Sequence, residues 1–367
     1  MKIALAIQHF RGGVGGAENI AVTVAAGLAA RGHRMLVCAE SGAAVPGIEF
    51  RQLPLAAVPA AAQAWGAEVV LDWGLNIPAD VHRLGGGTHR EFLNYALAAS
   101  PVWLQWWKQL GYACLPKHRR TRAREQELIL APATRFIAVS EFVAAQLRRT
   151  AAPHDPAVSV ILNGVDTQRF APANRSKFRT SLRTRLGLAT DDIAFLFVAH
   201  NLTLKNFFLL ERVFHQLSLV FPDARLVVAG KRDPGIRAPW CVYAGASSSM
   251  EELYAGCDAL LHPTWYDACA NVVLEAMASG LPVVSSDRNG SAEAIQDGVS
   301  GRILPVAGDA AEIEAVWLEA VAALAGSKKL REQQGQAART VAEAHGIEAY
   351  IAALEAELVK PIRDQAK

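Results

Sequence analysis

The chain of 367 residues exceeds the ~100–200 that one domain usually organises, so two domains are expected. Hydrophobic residues at 51% against charged residues at 20% supply ample apolar surface and exclude disorder over most of the length. A net charge of +2 excludes a global pull toward nucleic acid, so any electrostatic partner must be met by a local patch.

Residues 2–7 read as a buried strand, followed by a glycine-rich turn over 11–16 and a helical run over 17–31 that ends at Gly32. Gln8 and His9 interrupt the first apolar run before a signal-peptide core forms, so a cytoplasmic location is expected. Strands at 35–39, 68–71 and 136–139 alternate with helical segments, as in a parallel sheet with helices on both faces. Turn chemistry at Asn163-Gly164-Val165-Asp166 marks a domain boundary. Beyond it, strands at 194–199, 226–229, 259–262 and 282–285 alternate with helices at 207–217, 250–255 and 271–279. The second half thus repeats the architecture without repeating the sequence. The expected division is residues 1–165, residues 166–345, and a terminal helix within 346–367 that returns to the first domain. Apolar stretches such as 55–64 and 254–261 stop short of the ~18–20 residues that span a bilayer. Cys38, Cys114, Cys241, Cys257 and Cys269 are scattered and lack C-x-x-C spacing, so they signal neither a disulfide frame nor a zinc site.

Two stretches carry candidate chemistry. The glycine loop, with Gly15 and Gly16, places backbone N–H groups at a helix N-terminus, which suits an anion; a plain tight turn is the alternative. Its spacing does not match the dinucleotide G-x-G-x-x-G pattern. Asp267 and Glu275 lie eight positions apart around Ala268-Cys269-Ala270-Asn271, where a loop enters a helix. Free N–H groups of residues 268–271 would then face a ligand, Asp267 would grip sugar hydroxyls and Glu275 a ribose diol, because carboxylates accept strongly from O–H donors. The competing reading makes Asp267 a helix cap and Glu275 a solvated helix residue.

Asp267-x7-Glu275 followed by Ala-Met-Ala-Ser-Gly-Leu-Pro-Val-Val resembles the E-x7-E motif of family-4 retaining glycosyltransferases. In the same order stand Gly15-Gly16-Ala17-Glu18, Ala138-Val139-Ser140-Glu141-Phe142, Asn163-Gly164-Val165-Asp166, Lys205, and Leu253 to Asp258. The likeness covers nearly the whole chain and implies the α/β GT-B fold, two Rossmann-like doubly wound domains facing a cleft. Leu261-His262-Pro263 and the stretch from Ala79 to Glu91 are most similar to the lipopolysaccharide core glucosyltransferases. Those enzymes carry an acid where this chain has Gly86, so His89 or Thr88 is the substitute candidate on the acceptor side.

The resemblance implies a retaining transfer of a hexose from a nucleotide sugar, read as UDP-linked, to a saccharide or lipid-linked acceptor in cell-surface glycan assembly. Lys205 would balance the donor diphosphate, and Gly15 and Gly16 would approach the sugar. Relatives hold an arginine where His200 stands, which leaves His200, Lys231 or Arg232 as the second cation. No D-x-D sequence provides for a metal, so no metal or other cofactor is expected beyond the co-substrate. A sugar-nucleotide 2-epimerase and a catalytically silent glycan-binding protein are the alternatives.

Residues 101–124 concentrate Trp103, Trp106, Trp107 and Tyr112 with Lys117, Arg119, Arg120, Arg122 and Arg124. Indole rings favour the headgroup region and basic residues an anionic leaflet, so this patch is read as holding the protein to the inner face of a membrane. An acceptor pocket, a basic patch for a phosphorylated core sugar, or core tryptophans beside a solvated helix face are the other readings. Nucleic acid is not an expected partner.

Overall fold

The computed structural model describes residues 1–12, 16–132 and 134–361. The chain divides into two compact units, one formed by Met1–Leu97, Val102–Asn163 and the C-terminal segment from Glu348, the other by Ala98–Pro101 and Gly164–Ile347.

The first unit holds a seven-stranded parallel sheet of β1 (Lys2–Phe10), β2 (Arg34–Gly42), β3 (Glu49–Gln52), β4 (Val69–Asp72), β5 (Val81–Leu84), β6 (Arg135–Ala138) and β7 (Ala157–Val160). Its order is β3-β2-β1-β4-β5-β6-β7. Crossovers run through α1 (Gly16–Ala30), α2 (Val58–Trp65), α3 (His89–Ala98), α4 (Val102–Cys114), α5 (Pro116–Ile129) and α6 (Glu141–Ala151). Ile3 to Ile7 are buried in succession because a parallel strand covered on both faces needs no alternation. α6 begins where the Ser140 hydroxyl accepts from the Val143 N–H at 3.1 Å.

Strand β5 was absent from the sequence expectation because its centre is polar. His82 and Arg83 are both buried there, so the run shows no apolar signature. His82 Nδ1 lies 3.0 Å from Asp72 Oδ2, and the Asp72 carboxylate also accepts from the Asn76 N–H at 2.7 Å and the Asn76 side-chain amide at 2.9 Å. This buried acid therefore shapes the loop after β4.

The second unit holds a six-stranded parallel sheet of β8 (Ile193–Val198), β9 (Ala224–Ala229), β10 (Cys241–Gly245), β11 (Ala259–His262), β12 (Val283–Ser286) and β13 (Gly301–Leu304), in the order β10-β9-β8-β11-β12-β13. Its helices are α7 (Asn174–Leu186), α8 (Phe207–Val220), α9 (Met250–Gly256), α10 (Asn271–Ala278), α11 (Ala310–Gly326) and α12 (Lys328–Ala344). Phe195, Phe197, Phe207, Phe214 and Trp317 fill one face of the sheet. Each such side chain contributes about 1.5–3 kcal/mol on full burial. At the start of the central strand β11, Asp258 gathers Arg175, Arg179 and Arg183 at 3.0, 2.9 and 3.4 Å and accepts from the Ala194 N–H at 2.9 Å, which ties α7 to the start of β8.

The last helix, α13 (Ile347–Leu358), packs on the first unit through buried Tyr350, Ile351, Leu354 and Leu358. Arg31 pairs with Glu348 at 3.3 Å and Glu355 at 3.1 Å. Arg83 donates from Nε to the Tyr350 hydroxyl at 2.8 Å and from its terminal nitrogen to Asn163 Oδ1 at 2.5 Å, while its guanidinium stacks 4.2 Å from the Trp73 ring centre. One buried cation thus grips both the segment that leaves the first unit and the helix that returns to it.

Close backbone approach sets one stability test. At Gly230, just past β9, an added Cβ would lie 1.8 Å from the Ala199 carbonyl oxygen, and Ala199 is itself held by its N–H to the Ala229 carbonyl at 2.9 Å. Chemical denaturation of Gly230→Ala is expected to show a loss of about 1–3 kcal/mol. Gly12→Ala, with nothing within 4 Å of the added carbon, should stay within about 0.5 kcal/mol of the parent.

Candidate functional site

In the second sheet the chain runs from β8 through β9 to β10 on one side, then returns to lay β11 against the other edge of β8. Loops leaving β8 and β11 therefore diverge, and the crevice outside the carboxyl ends of such strands is where open α/β sheets bind ligands. Lys205 lies in the loop after β8 and Asp267 in the loop after β11.

Backbone bonds fix both loops. The Leu204 N–H donates to Asn201 Oδ1 at 3.1 Å, and the Lys205 N–H donates to the Asn201 carbonyl at 3.0 Å. The Trp265 N–H donates to the Leu204 carbonyl at 2.9 Å, stitching one loop to the other. Asp267 is clamped on both sides of its own peptide group. Its N–H donates to the Arg288 carbonyl at 3.0 Å and its carbonyl accepts from the Gly290 N–H at 2.9 Å. Three loops, after β8, β11 and β12, are thereby locked together.

On that frame the Asp267 carboxylate forms an ion pair with the Lys205 ammonium, and His262 Nε2 lies 3.3 Å from the same Asp267 oxygen. Burial alone would raise the Asp267 pKa, but Lys205 and His262 override it and hold the carboxyl well below the usual range. Burial drives His262 down despite its acidic neighbour, so the imidazole is neutral at neutral pH. The structure thus joins two residues 62 positions apart that the sequence placed only in separate loops.

Asp267 is not a helix cap, since the residue before α10 is Ala270. Glu275 is not a solvated helix residue either: its Oε2 accepts from the Tyr254 hydroxyl on α9 at 2.8 Å, and burial raises its pKa. The expectation of free amides over 268–271 needs correction at Ala270, whose N–H donates to Asn289 Oδ1 at 3.2 Å. Asn289 is buried, also accepts from the Ser291 N–H at 3.1 Å, and donates to Ser285 Oγ at 3.0 Å. Ala268 and Cys269 are buried, and Asn271 opens α10. Sequence reasoning missed the roles of Asn289, Tyr254 and His262; Tyr254, within the stretch Leu253 to Asp258, and His262, next to Pro263, stood in quoted motifs, and Asn289 had no local signal.

His200 and Lys231 stand exposed past the ends of β8 and β9, as does Arg232, and none of these side chains pairs with another among the described residues. Gly15 lies outside the described residues, and Gly16 opens α1. Among the described residues no group of three His, Cys, Asp or Glu is arranged to hold a metal ion.

In the first unit His89 opens α3, and its N–H donates to both Glu125 oxygens at 2.9 and 3.0 Å. Its Nε2 lies 2.9 Å from His118 Nδ1, and burial, reinforced by His118, lowers its pKa. Thr88 is fully buried, and its hydroxyl accepts from the Glu91 N–H at 3.4 Å, so it is a helix cap. Gly86 is exposed. Trp103, Trp106 and Trp107 are 75%, 63% and 62% exposed, which removes the core reading for these tryptophans. They share one face of α4 with exposed Leu110. On α5, Lys117, Arg119 and Arg120 are exposed, Arg122 donates to the His118 and Tyr112 carbonyls, and Arg124 pairs with Glu127 at 2.8 Å.

Burial pushes the Glu125 carboxyl up to about 7, against the hydrogen bond from His89. A carboxyl raised in the folded state binds its proton more tightly there than in the unfolded chain, so its contribution to stability falls as pH rises from about 4.5 through 7. Glu125→Gln removes this titration. Its stability relative to the parent should improve by about 1–3 kcal/mol between pH 5 and pH 8 in urea titrations, and an unchanged difference would contradict the burial effect.

Comparison with known proteins matches part of the chain to a family. Residues 193–323 match the family described as Glycosyl transferases group 1, a span that begins at β8 and includes Lys205, Asp267 and Glu275. A D-inositol 3-phosphate glycosyltransferase of Actinosynnema mirum is 32% identical over 234 residues, covering 58% of this chain and 54% of that protein. The protein of the same name from Thermobifida fusca is 31% identical over 204 residues, covering 50% and 46%. The chain thus spans about half the length of the curated relatives it matches. Among solved structures, WaaG, a glycosyltransferase involved in lipopolysaccharide biosynthesis, superposes with a TM-score of 0.78 at 18% identity, covering 98% of this chain and 100% of that one. Anabaena Alr3699/HepE in complex with UDP-glucose gives 0.69 at 18% identity, covering 97% and 98%. The chain has the GT-B architecture of two parallel α/β units, and its second unit carries a domain of the Glycosyl transferases group 1 family.

Proposed function

We propose that this protein is a retaining glycosyltransferase that moves a hexose from a UDP-sugar to a saccharide or lipid-linked acceptor in cell-surface glycan assembly. The observation that carries this reading is the Lys205–Asp267 ion pair at the switch point between β8 and β11. As the bond between sugar and phosphate breaks, negative charge grows on the departing nucleotide. A fixed ammonium in a partly buried site stabilises that charge more than the ground state. Lys205 is the group for this task. It supplies the positive charge itself, so the proposed transfer needs no metal. Asp267, ionised and clamped through its backbone, orients sugar hydroxyls, and Glu275, steadied by Tyr254, accepts from the ribose diol. We assign the second positive charge to His200, Lys231 or Arg232, and His89 to the acceptor side. The relatives named D-inositol 3-phosphate glycosyltransferase support glycosyl transfer, and the solved complex of HepE with UDP-glucose supports a nucleotide-sugar donor.

The exposed face of α4 with the basic start of α5 supports a second statement, that the protein works peripherally on an anionic membrane surface. No helix among the described residues is long and apolar enough to cross a membrane. Three exposed indoles beside Lys117, Arg119 and Arg120 suit the headgroup region, where each basic residue contributes about 1 kcal/mol.

Turnover of UDP-glucose, followed as UDP release with and without a saccharide acceptor, tests the transfer. Lys205→Ala is expected to lower kcat by about 100-fold, and a change below about threefold would contradict its role on the leaving group. Conversion of UDP-N-acetylglucosamine to its 2-epimer with no acceptor and no net UDP release would favour an epimerase, and UDP-glucose binding without turnover a silent binding protein. For the membrane, flotation with phosphatidylglycerol vesicles should retain the parent at low salt and lose it at high salt, with Trp106→Ser weakening retention. Retention that ignores lipid charge would remove the electrostatic part of the proposal.

A further inference from the structure

On the first unit, α3, α5 and α6 border an open surface cavity of about 450 Å³ lined by Arg90, Arg119, Arg122, Glu125, Gln126 and Thr150 among others. Small-molecule sites begin at about 300 Å³, so the space suffices for a compact ligand. Its charges are unbalanced. Arg90 and Arg119 make no side-chain hydrogen bond or ion pair among the described residues, and Arg122 donates only to the carbonyls of His118 and Tyr112. Glu125, the acid in the lining, has both oxygens engaged by the His89 N–H and is largely shielded from solvent. With its carboxyl pushed up to about 7, it carries only part of a charge near neutral pH. Three other arginines of α5 and α6 do pair with acids, Arg124 with Glu127 at 2.8 Å, Arg148 with Glu141 at 3.3 Å, and Arg149 with Glu91 at 2.8 Å, while exposed Arg120 on α5 does not among the described residues.

Three guanidinium groups around one concavity, without a carboxylate to satisfy them, match a compact dianion with several acceptor oxygens. A planar fork of N–H donors binds phosphate oxygens two at a time, which favours a phosphoryl group over a single carboxylate. From this cavity we infer that Arg90, Arg119 and Arg122 form a binding site for a phosphate monoester. The group is carried either by a soluble sugar phosphate or by a lipid headgroup. The inference rests on reading the first unit as the acceptor side, and it adds the chemical class that this side selects.

Binding to the full chain without any donor tests the site independently of sugar transfer. Titration calorimetry with inorganic phosphate and with glucose 6-phosphate is expected to show saturable binding that Arg90→Ala and Arg119→Ala each weaken about tenfold or more. Arg148→Ala, outside the cavity, should bind as the parent does. Both cavity arginines are exposed, so thermal midpoints should stay near the parent value, and Arg90→Gln and Arg119→Gln serve if an alanine variant does not fold. Flotation with phosphatidic acid vesicles, a monoester, against phosphatidylglycerol vesicles, a diester, locates the source. Excess retention on phosphatidic acid that the two variants abolish supports a lipid source. Variant-sensitive binding of glucose 6-phosphate without that excess supports a soluble one. Phosphate affinity and vesicle retention indifferent to both substitutions would overturn the site, and would leave the proposed transfer untouched.

Discussion

An ammonium and a carboxylate, held against each other at the point where a parallel sheet changes direction, organise the second unit's candidate site. Lys205 and Asp267 are each about one-fifth exposed, so water screens the pair only partly. Removing one partner of such a pair leaves an uncompensated charge, which costs more than the pair itself is worth in stability. A pair of this kind is weak support for stability and better support for use. In the proposed transfer the lysine would exchange this carboxylate for the donor diphosphate. The same exchange would release a carboxylate whose peptide group is hydrogen-bonded on both sides.

That restraint has a visible origin. Asp267 is bonded through both its N–H and its carbonyl to the loop after β12, while Trp265 fastens the same segment to the loop after β8. Asn289 completes the frame, accepting from Ala270 and Ser291 and donating to Ser285 from a buried position. Buried polar networks of this type are costly when half satisfied and rigidifying when complete. Here the network holds the Asp267 backbone, and in the proposed function that lowers the ordering cost of binding the donor. In the first unit Asp72 plays the corresponding part for the loop after β4, with Asn76 and His82 as its partners.

Much of this architecture was legible in the residues. Strands such as Ile193–Val198 and Ala259–His262 are short apolar runs bounded by turns, and parallel sheets require such runs. The polar strand Val81–Leu84 and the edge strand Glu49–Gln52 escaped because their side chains do not alternate in hydrophobicity as a half-buried strand would. Helices α11 and α12 were also not among the expected elements, although Ile313, Trp317, Val321 and Leu324 are buried on one face of α11; the buried face of α12 is Gln334, Gly335, Ala338 and Ala342, with no large apolar side chain to mark it. Asp267, Glu275 and Lys205 were each visible as candidates. Their relation was not, since the ion pair depends on β11 being laid beside β8 after two intervening strands. The capture of the Ala270 amide by Asn289, 19 residues further on, was hidden for the same reason. Long-range pairing is what a one-dimensional pattern does not carry.

The most direct measurement follows the lysine itself. In protein labelled with ¹⁵N at the lysine side chains, with the Lys205 Nζ signal assigned through Lys205→Arg, UDP is added to saturation. The account predicts that this signal moves in step with UDP occupancy, as the ammonium turns from Asp267 to the diphosphate. Saturable UDP binding that leaves the Lys205 signal unmoved would contradict it.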